Sequence, residues 1–464
     1  MSTGAGQERP ARRGGRLARA ARRARPDLSP LRRAPEFRRL YAGQAASFAG
    51  SMITYVALPY QAYQLTRSSL VVGLLSVTEL VPLVIAALLG GALADAADRR
   101  RLILGAEAGG LAVAAALTAN AAAWHQVWLL FALAVVSAFG FGLQRPSLEA
   151  LVPQLVARDD LAAAASLSGL LGNGAQVLGP LLGGTLIAAA GLPAAYLVDA
   201  ASCLAGLVIF ARLRSFPAEP EADRPSLRGI AEGLRYVRSR PEILGTYVID
   251  IAAMFFGAPY ALFPAVAARF GGAAALGLLY AAPGAGALLV SATGGWAGHV
   301  HRHGRAIALA VGAWGLAIAA FGLAPGLWWA VAALAAAGAA DMISGVFRMT
   351  MWNQTIPSRL RGRLAGLEMI SYTTGEPAGG LESGLVASLT GSVRIAIVSG
   401  GLACLAGAVV VAAALPYLWR YDARTYRPEP GAVAGPDPQP GREPGPEPEP
   451  DPEPDPESEL SAGG

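Results

Sequence analysis

Long apolar stretches alternate with short polar connections from residue 40 to residue 417. A helix needs about 20 residues to cross the hydrocarbon core of a bilayer, and each stretch reaches that length. The pattern therefore predicts an all-α membrane protein with twelve transmembrane helices. The predicted spans are residues 40–66, 71–93, 102–123, 127–149, 163–190, 193–213, 242–267, 274–298, 305–324, 327–349, 364–388 and 393–417.

Arginine is distributed unevenly between the connections. The loops on one side carry most of it, at Arg99 to Arg101, Arg158, Arg212 to Arg240, Arg302, Arg305, Arg359 to Arg363 and Arg420 to Arg427. The opposite loops carry little beyond Arg67, Arg269 and Arg394. Because basic loops remain in the cytoplasm, this bias predicts that both termini are cytoplasmic, which requires an even number of spans.

The two halves of the chain repeat one another. Arg145 and Arg348 end corresponding spans, each is followed within ten residues by a proline, and the sixth and twelfth spans share Cys-Leu-Ala-Gly. This repetition predicts two parallel six-helix halves with a substrate path between them. The predicted organisation is a disordered Arg-rich cytoplasmic tail at 1–37, an N-terminal half at 38–213, a cytoplasmic linker at 214–241, a C-terminal half at 242–420 and a disordered Pro/Glu-rich cytoplasmic tail at 421–464.

The linker combines prolines with an amphipathic segment at residues 226–238. Leu227, Ile230, Leu234 and Val237 recur at helical spacing on one face, and arginines lie elsewhere. We expect this helix to lie on the inner leaflet.

A Gly-x-Leu-Ala-Asp step, from Gly91 to Asp95, ends the second span and precedes Arg99 and Arg100. It resembles the loop between the second and third helices of the major facilitator superfamily. The resemblance implies the major facilitator fold, with Asp95 in a cytoplasmic gate. It also suggests Arg145 as a partner of Asp95, together with the start of the eleventh span.

The acidic residue of this loop has an alternative interpretation. A static surface salt bridge would use the same residues, because exposed arginines and aspartates often pair weakly. The chain also departs from the superfamily pattern at Asp98, where a glycine is usual. In the second half, Gly298 stands where the acid would be, so a matching gate there is expected to be weaker.

The fifth span contains a Gly-Pro-x-x-Gly-Gly element, formed by Gly179, Pro180, Gly183 and Gly184. It is similar to an element of export-type members of the superfamily, although Ala175 replaces a glycine that usually precedes it. A simple packing kink is the alternative, since proline and small residues also permit bending and close helix approach.

Three further stretches, Glu36 to Thr66, Gly257 to Gly272 and Thr374 to Leu389, resemble the subgroup that includes enterobactin exporters and drug-efflux permeases. The likeness covers Glu36 to about Arg420. It implies proton-driven export of an amphiphilic small molecule, either a siderophore or a drug-like compound. A lipid flippase and a membrane receptor or assembly partner that has lost transport remain the alternatives.

Composition agrees with a membrane protein. Hydrophobic residues make up 54% and charged residues 15% of the 464 residues, and the mean hydropathy is +0.43. The net charge of +5 does not indicate nucleic-acid binding, because the arginines lie at helix ends and in the N-terminal tail. We expect the bilayer, protons and a small-molecule substrate as partners, and a monomer.

Catalytic and metal-binding chemistry is not expected. We find no nucleophile beside a base and no paired carboxylates at fixed local spacing. His299, His301 and His303 alternate in a loop without nearby carboxylates or thiolates, and Cys203 and Cys404 lie in apolar runs. We therefore predict no enzyme activity, no cofactor and no metal site.

Ionisable residues inside membrane spans are costly and mark functional sites. Those predicted to lie deepest are Glu79, Asp199, Asp250, Asp341 and Glu376. Glu107, Glu149 and Glu368 are expected to be hydrated near the cytoplasmic ends of their spans.

Glu376 is the first candidate for proton coupling, and Asp250 is the second. The Gly375-Glu376-Pro377 step is expected to break the eleventh span near the membrane midplane and to expose the acid in a cavity. Either acid could instead be a structural partner of Arg348 or a polar tie between helices.

Overall fold

The computed structural model describes residues 27–96, 98–216, 234–356 and 358–424, and these residues are almost entirely helical. The first half contains α1 (Ser29–Arg33), α2 (Pro35–Thr66), α3 (Ser69–Ala96), α4 (Arg99–Ala119), α5 (Val127–Leu155) and α6 (Leu161–Phe210). The second contains α7 (Pro241–Gly257), α8 (Phe263–Phe270), α9 (Ala273–Ala292), α10 (His303–Gly322), α11 (Leu327–Thr355), α12 (Ser358–Thr390), α13 (Val393–Ala414) and α14 (Pro416–Arg420).

Nine helical stretches among the described residues are long and apolar enough to cross a membrane. One of them, residues 158–210, has the length of two spans, and α6 is bent where Gly191 takes φ +83°. Helices α2 and α12 are long enough to span but carry more polar residues. The all-helical membrane fold is confirmed, and the count of twelve spans stays a prediction.

The seventh span is divided into two helices, which the sequence pattern did not predict. Helix α7 ends at Gly257, a 3₁₀ turn covers Tyr260–Leu262, and α8 begins at Phe263. Pro259 lies in the interruption and has no N–H with which to continue the hydrogen-bond ladder. The break allows Tyr260 to reach across to α9, where its ring stacks on Tyr280 at 6.2 Å.

Each half is a bundle of its own, and two helix pairs join the halves. Within the first half, α2 packs on α6, α3 on α5, and α4 on both α5 and α6. Within the second, α10 packs on α11 and α13, and α9 packs on α11. The halves meet where α3 packs on α12 and where α6 packs on α9. The space between these two seams is where the sequence predicted a substrate path.

Two sequence predictions are wrong in detail. Residues 29–37 were assigned to a disordered tail, but they form α1 and the start of α2, and Phe37 is buried. Helix α12 was expected to break at Glu376, but it runs without interruption through Pro377.

The predicted tails and most of the linker fall outside the described residues. Residues 1–26 and 425–464, which belong to the two predicted tails, are outside the described residues. Leu227 and Ile230 of the predicted amphipathic helix are outside them as well. At the end of that segment residues 234–239 are helical, and Val237 is buried against Ile243 and Trp352. This contact attaches the end of the linker to the second half.

Candidate functional site between the two halves

Glycines bring the two halves together at one end of the bundle. A methyl group on Gly73 of α3 would lie 2.6 Å from the carbonyl oxygen of Gly380, and one on Gly184 of α6 would lie 2.6 Å from Cα of Gly277. Both distances are shorter than real carbon contacts allow, so side chains are excluded from these seams. The seams lie toward the ends of the helices that are remote from the arginine-rich loops.

Among the described glycines, no such close contact joins the halves near the arginine-rich end. The last glycine contact between halves joins Gly284 to Val177, where an added methyl group would lie 2.9 Å away. Closer to that end, Gly172 of α6 and Gly294, in the 3₁₀ turn that follows α9, have no neighbour within 4 Å of an added methyl group. The described glycine contacts therefore close the space between the halves at the end remote from the arginine-rich loops.

The Gly-Pro-x-x-Gly-Gly element of α6 makes close contacts both within the first half and with the second half. Gly179 and Gly183 lie against Met52 and Ile53 of α2, inside the first half. Gly184 and the carbonyl of Pro180 contact Gly277 in the second half.

Helix α12 repeats this arrangement. Gly375 and Gly379 lie against Met254 of α7, while the next glycine, Gly380, forms the seam with α3. Glu376 therefore follows a packing glycine on α12, just as Pro180 does on α6. This correspondence was not recognised in the sequence, because only the first copy has the Gly-Pro order.

Glu376 occupies a chamber lined by tyrosines from both halves. The hydroxyl of Tyr55, on α2, donates a hydrogen bond to Glu376 Oε1 at 3.2 Å across the gap between the halves. The ring of Tyr55 meets Tyr280 edge-on at 5.3 Å, and Tyr280 stacks on Tyr260. Tyr55 nevertheless exposes 44% of its surface. We call the group Tyr55, Tyr260, Tyr280 and Glu376 the tyrosine chamber.

Two other predicted acids face this chamber. Glu79 of α3 lies close enough to Tyr280 to interact electrostatically with it, and Asp341 of α11 interacts in the same way with Tyr260 and Glu376. The side chain of Asp341 is 41% exposed. The structure thus brings Asp341 of α11 near Glu376 of α12, and Glu79 of α3 near Tyr280 of the same chamber.

Asp250 and Arg348 form an ion pair beside the chamber. Arg348 of α11 contacts Asp250 of α7, and both side chains are mostly buried. Arg348 Nη2 also lies 3.8 Å from Asp341 Oδ1. Asp250 is therefore neutralised by an arginine, whereas none of the described side chains places a cation within ion-pair distance of Glu376.

Asp199 and Glu107 lie elsewhere, inside the first half. The carboxylate of Asp199 accepts a hydrogen bond from Thr54 Oγ1 at 2.5 Å. Glu107 is 3% exposed and accepts one from Gln144 Nε2 at 2.7 Å. The expectation that Glu107 is hydrated is wrong, because α5 and α6 cover the face of α4 on which it lies. Glu149, in contrast, is exposed as expected, and Glu368 is outside the described side chains.

The arginine-rich loop after α3 is attached to the end of α6. Arg100 Nη2 donates to the carbonyl of Ala211 at 2.6 Å, and the N–H of Arg99 donates to the carbonyl of Phe216 at 3.3 Å. Gly91 and Asp95 lie in the last turns of α3, but their side chains are outside the described residues. Arg145 bonds Glu149 at 3.0 Å, and its pairing with Asp95 stays a prediction.

Asp98 organises the same loop. Its carboxylate accepts hydrogen bonds from the N–H of Arg100 at 2.9 Å, from Ser215 Oγ at 2.6 Å and from the N–H of Phe216 at 3.2 Å. Burial of the carboxyl works against ionisation, but these donors outweigh it and lower the pKa of Asp98 below its ordinary value. Asp98 is thus the N-cap of α4, and its carboxylate also binds the chain segment that follows α6.

Sequence reasoning missed the tyrosines of the chamber. Tyr55, Tyr260 and Tyr280 lie in apolar stretches of the sequence. The sequence does not show which face of each helix points inward, so these tyrosines could not be distinguished from other residues of the spans. One signal was available for Tyr260, since the Gly-Ala-Pro preceding it interrupts a span, and interrupted helices line binding sites in transporters.

Comparison with known proteins agrees with this architecture. The model of a family described as "Transmembrane secretion effector" matches residues 26–431. The enterobactin exporter EntS of Citrobacter koseri is 29% identical over 376 residues, which cover 81% of this chain and 90% of the relative. The enterobactin exporter EntS of Shigella boydii is 28% identical over 413 residues, covering 89% and 98% of the two chains.

Solved transporter structures share the fold. A peptide transporter POT in complex with sulfate superposes with a TM-score of 0.67 at 15% identity, covering 84% of this chain and 96% of the other. The nucleoside transporter NupG gives a TM-score of 0.63 at 15% identity, covering 83% and 100%. At this identity the likeness concerns the fold alone.

Proposed function

Because the chain belongs to the transmembrane secretion effector family of the major facilitator superfamily, we propose that it exports an amphiphilic small molecule by proton antiport with alternating access. The substrate class is a siderophore or a drug-like compound, in keeping with its similarity to proteins named enterobactin exporters. The protein is a multi-pass transporter of the cell membrane, and we propose that both termini are cytoplasmic.

One observation carries the coupling proposal, namely the contact between Glu376 and Tyr55. It joins α12 of one half to α2 of the other inside a partly exposed chamber. A carboxyl group there changes its charge when it binds a proton, and the bond to Tyr55 differs in strength between the two charge states. Protonation of Glu376 thus changes a contact between the two halves, which must move relative to each other during alternating access.

The surroundings of the acids favour Glu376 over Asp250 as the proton carrier. Asp250 forms an ion pair with Arg348, so its negative charge is already compensated within the second half. Glu376 has a neutral tyrosine as its hydrogen-bond partner and lies close to one further acid, Asp341. We therefore assign Asp250 and Arg348 a structural role beside the chamber.

We propose that the chamber is open toward the arginine-rich loops, an arrangement that fits the step in which substrate is collected. If the arginine-rich loops are cytoplasmic, substrate enters from the cytoplasm while the glycine seams close the remote end. Protonation or substrate binding then shifts the population toward a conformer that is open on the opposite side. Aromatic rings line the chamber and suit a substrate with apolar and polar parts.

The test is proton release on addition of substrate to purified protein in weakly buffered detergent. Enterobactin and ethidium serve as the two substrate probes. For the probe that binds, wild type and Asp250→Asn are expected to release protons, and Glu376→Gln is expected to release none while still binding the probe. In vesicles, Glu376→Gln is expected to lose at least 90% of uphill efflux, about 1.4 kcal/mol or more in coupling, and to retain downhill exchange.

Proton release by Glu376→Gln at the wild-type level would remove Glu376 from the coupling site. Loss of release in Asp250→Asn alone would move the site to α7. Movement of fluorescent phospholipid between leaflets in place of either probe would indicate a flippase. Failure of the wild type to transport any of these compounds against a gradient would favour a receptor or assembly partner.

A further inference from the structure

An apolar groove runs along the surface of the second half between α10 and α13. It has a volume of about 540 Å³ and opens on a face that takes no part in the two seams with the first half. Small buried residues form its floor, and larger side chains that are more than half exposed form its walls. The floor contains Ala308, Gly312 and Ala408, and the walls contain Leu309, Leu316 and Val409. Because α10 and α13 are both candidate membrane spans, this groove faces the hydrocarbon chains of the bilayer.

Aromatic side chains mark the depth of the groove in the membrane. Trp419 of α14 lines its end nearest the arginine-rich loops, and Tyr417 on the same helix is 67% exposed. Tryptophan and tyrosine concentrate at the level of the lipid headgroups. From that end, the lining residues Ala308 to Leu316 advance about 12 Å along α10 toward the membrane interior. The groove thus begins at the membrane surface and continues into the hydrocarbon region.

Two basic chain segments are joined at the surface end of the groove. Arg305, in the first turn of α10, donates from Nε to the carbonyl oxygen of Trp419 at 3.4 Å, and its guanidinium carbon lies 5.4 Å from the centre of the Trp419 ring. The carbonyl oxygen of His301 accepts from the N–H of Ala423 at 2.9 Å, and His301 Nδ1 accepts from Arg424 Nη2 at 3.0 Å. These contacts hold the chain before α10 against the chain after α14.

The joined segments carry an excess of positive charge. Their acidic residue is Asp422, whose carboxylate accepts a hydrogen bond from the N–H of Arg424 at 3.0 Å. Four arginines stand against this acid, and three of them are exposed. We call Arg302, Arg305, Arg420 and Arg424 the arginine cluster. The groove is therefore apolar along its length and positively charged at its surface end.

A phospholipid with a negatively charged headgroup matches this distribution. Its acyl chains are apolar, and basic groups at the membrane surface attract anionic headgroups. Arginine also donates paired hydrogen bonds to phosphate oxygens. A zwitterionic lipid would fill the groove equally well, but it carries no net charge to complement the arginine cluster. We propose that the groove and the arginine cluster together bind one anionic phospholipid, with an acyl chain between α10 and α13 and the phosphate at the cluster.

Binding of this lipid requires neither substrate nor a proton gradient, so failure of the proposed transport function would leave the site unaffected. The two probes are phosphatidylglycerol and phosphatidylcholine, each with a photoactivatable diazirine in one acyl chain. Each probe is added in small amount to phosphatidylcholine vesicles that contain the full chain, and mass spectrometry of peptides locates the labelled residues after illumination. Trp328 and Trp329, which are exposed at the start of α11 and at the remote end, serve as the reference for general contact with lipid.

Relative to this reference, we expect the phosphatidylglycerol probe to label peptides of the groove about tenfold more than the phosphatidylcholine probe. The double variant Arg305→Gln with Arg420→Gln is expected to remove that preference. Arg158→Gln with Arg238→Gln is the matched control, because it removes two exposed arginines on the same side of the bundle, and it is expected to keep the preference. Arg305→Lys with Arg420→Lys retains both charges and is expected to keep most of the preference.

A second pair of variants tests the groove itself. Ala313 lines the groove and is exposed, so Ala313→Phe fills part of the groove without entering the core. We expect this change to bring labelling of the groove by phosphatidylglycerol down to that of the reference. Ala406→Phe, at an exposed position of α13 outside the groove lining, is the control and is expected to be labelled like wild type.

Equal labelling of the groove by the two probes, or a preference that survives the loss of Arg305 and Arg420, would overturn the proposal. Unchanged labelling of the groove in Ala313→Phe would also overturn it. A groove that neither probe labels, in a protein whose dimer is dissociated by Ala313→Phe, would assign the surface to a second copy of the chain instead. If the loss of Arg305, which contacts Trp419, disturbs folding, Arg420→Gln alone is expected to reduce the preference, and an unchanged preference would count against the site.

Discussion

At the residue scale, surroundings decide what each carboxyl group does. Asp250 is compensated by Arg348, Glu376 accepts a hydrogen bond from a tyrosine, and the buried Glu107 accepts one from a glutamine. These three are similar in a hydropathy plot, because each is one acid in an apolar span. Asp98 differs again, since backbone and hydroxyl donors hold its carboxylate at the start of a helix.

The capping role of Asp98 predicts a pH-dependent contribution to stability. Its pKa is lowered in the folded protein, so the contribution is fully present above the unfolded pKa of about 3.9 and is lost as the pH falls through the folded value. Asp98→Ala is expected to destabilise the protein by about 1 kcal/mol at pH 7, as lost helix caps do. The measurement is the thermal unfolding midpoint of purified protein from pH 7 to pH 3.

The control for Asp98→Ala is Asp159→Ala, which removes an exposed acid from a connection on the same side of the bundle. It is expected to leave the midpoint nearly unchanged. The difference between wild type and Asp98→Ala should narrow as the pH is lowered. A difference that widens on acidification, or none at pH 7, would contradict the assigned role.

At the scale of helices, the two glycine elements have equivalent tasks. In α6, two glycines pack against α2 of the same half and a further glycine lies in a seam with the other half. In α12, two glycines pack against α7 and a further one lies in the other seam. The position of the proline relative to the first glycine differs between the two elements. Pro180 follows Gly179 directly, whereas Glu376 lies between Gly375 and Pro377. The second copy thus introduces an acid at the position where the first has proline, and this makes the two halves chemically different.

The seam predicts that Gly184→Ala disturbs closure of the remote end. Its methyl group would lie 2.6 Å from the carbonyl oxygen of Ala273 and from Cα of Gly277, so the backbones must separate. We expect uphill efflux to fall about tenfold, equivalent to about 1.4 kcal/mol. Spin labels at Arg67 and Thr390, which flank α3 and α12 at that end, are expected to show a longer distance.

Gly172→Ala is the matched control, because it lies on the same helix and has no neighbour within 4 Å of an added methyl group. It is expected to transport like wild type and to leave the label distance unchanged. Equal behaviour of Gly184→Ala and Gly172→Ala would show that the close approach of α6 and α9 is not needed for transport.

Across the whole molecule, the described glycine contacts between the halves differ between the two ends of the bundle. The remote end is closed by backbone contacts, and the arginine-rich end lacks such contacts among the described glycines. In this conformer the proposed gate at Asp95 is expected to be open. Transport by alternating access requires it to close while the seams separate.

The gate predicts that Asp95→Asn reaches the membrane in normal amount and loses most transport, since an amide cannot replace a charge that pairs with arginine. We expect a loss of at least tenfold in efflux from vesicles that contain equal amounts of protein. Asp159→Asn, an exposed acid in another connection on that side, is expected to retain wild-type efflux. Efflux by Asp95→Asn at the wild-type rate would favour a static salt bridge.

The sequence by itself determined the membrane class and the division into two halves. Spanning length and arginine bias are local properties of the chain, so they can be read without knowing how helices pack. Glu376 could also be selected as a candidate from the sequence, because an acid in an apolar span is costly wherever it points. The family resemblance rested on short motifs, such as the run from Gly91 to Asp95, for the same reason.

Which side chains meet depends on how the helices pack in three dimensions. Apolar spans have weak helical patterns, since lipid-facing and core-facing positions are both hydrophobic, and this hid the inward direction of Tyr55, Tyr260 and Tyr280. Burial of Glu107 and neutralisation of Asp250 by Arg348 depend on neighbouring helices that are distant in sequence. Hydrophobicity places a segment in the membrane, whereas contacts between helices determine the chemistry of its polar residues.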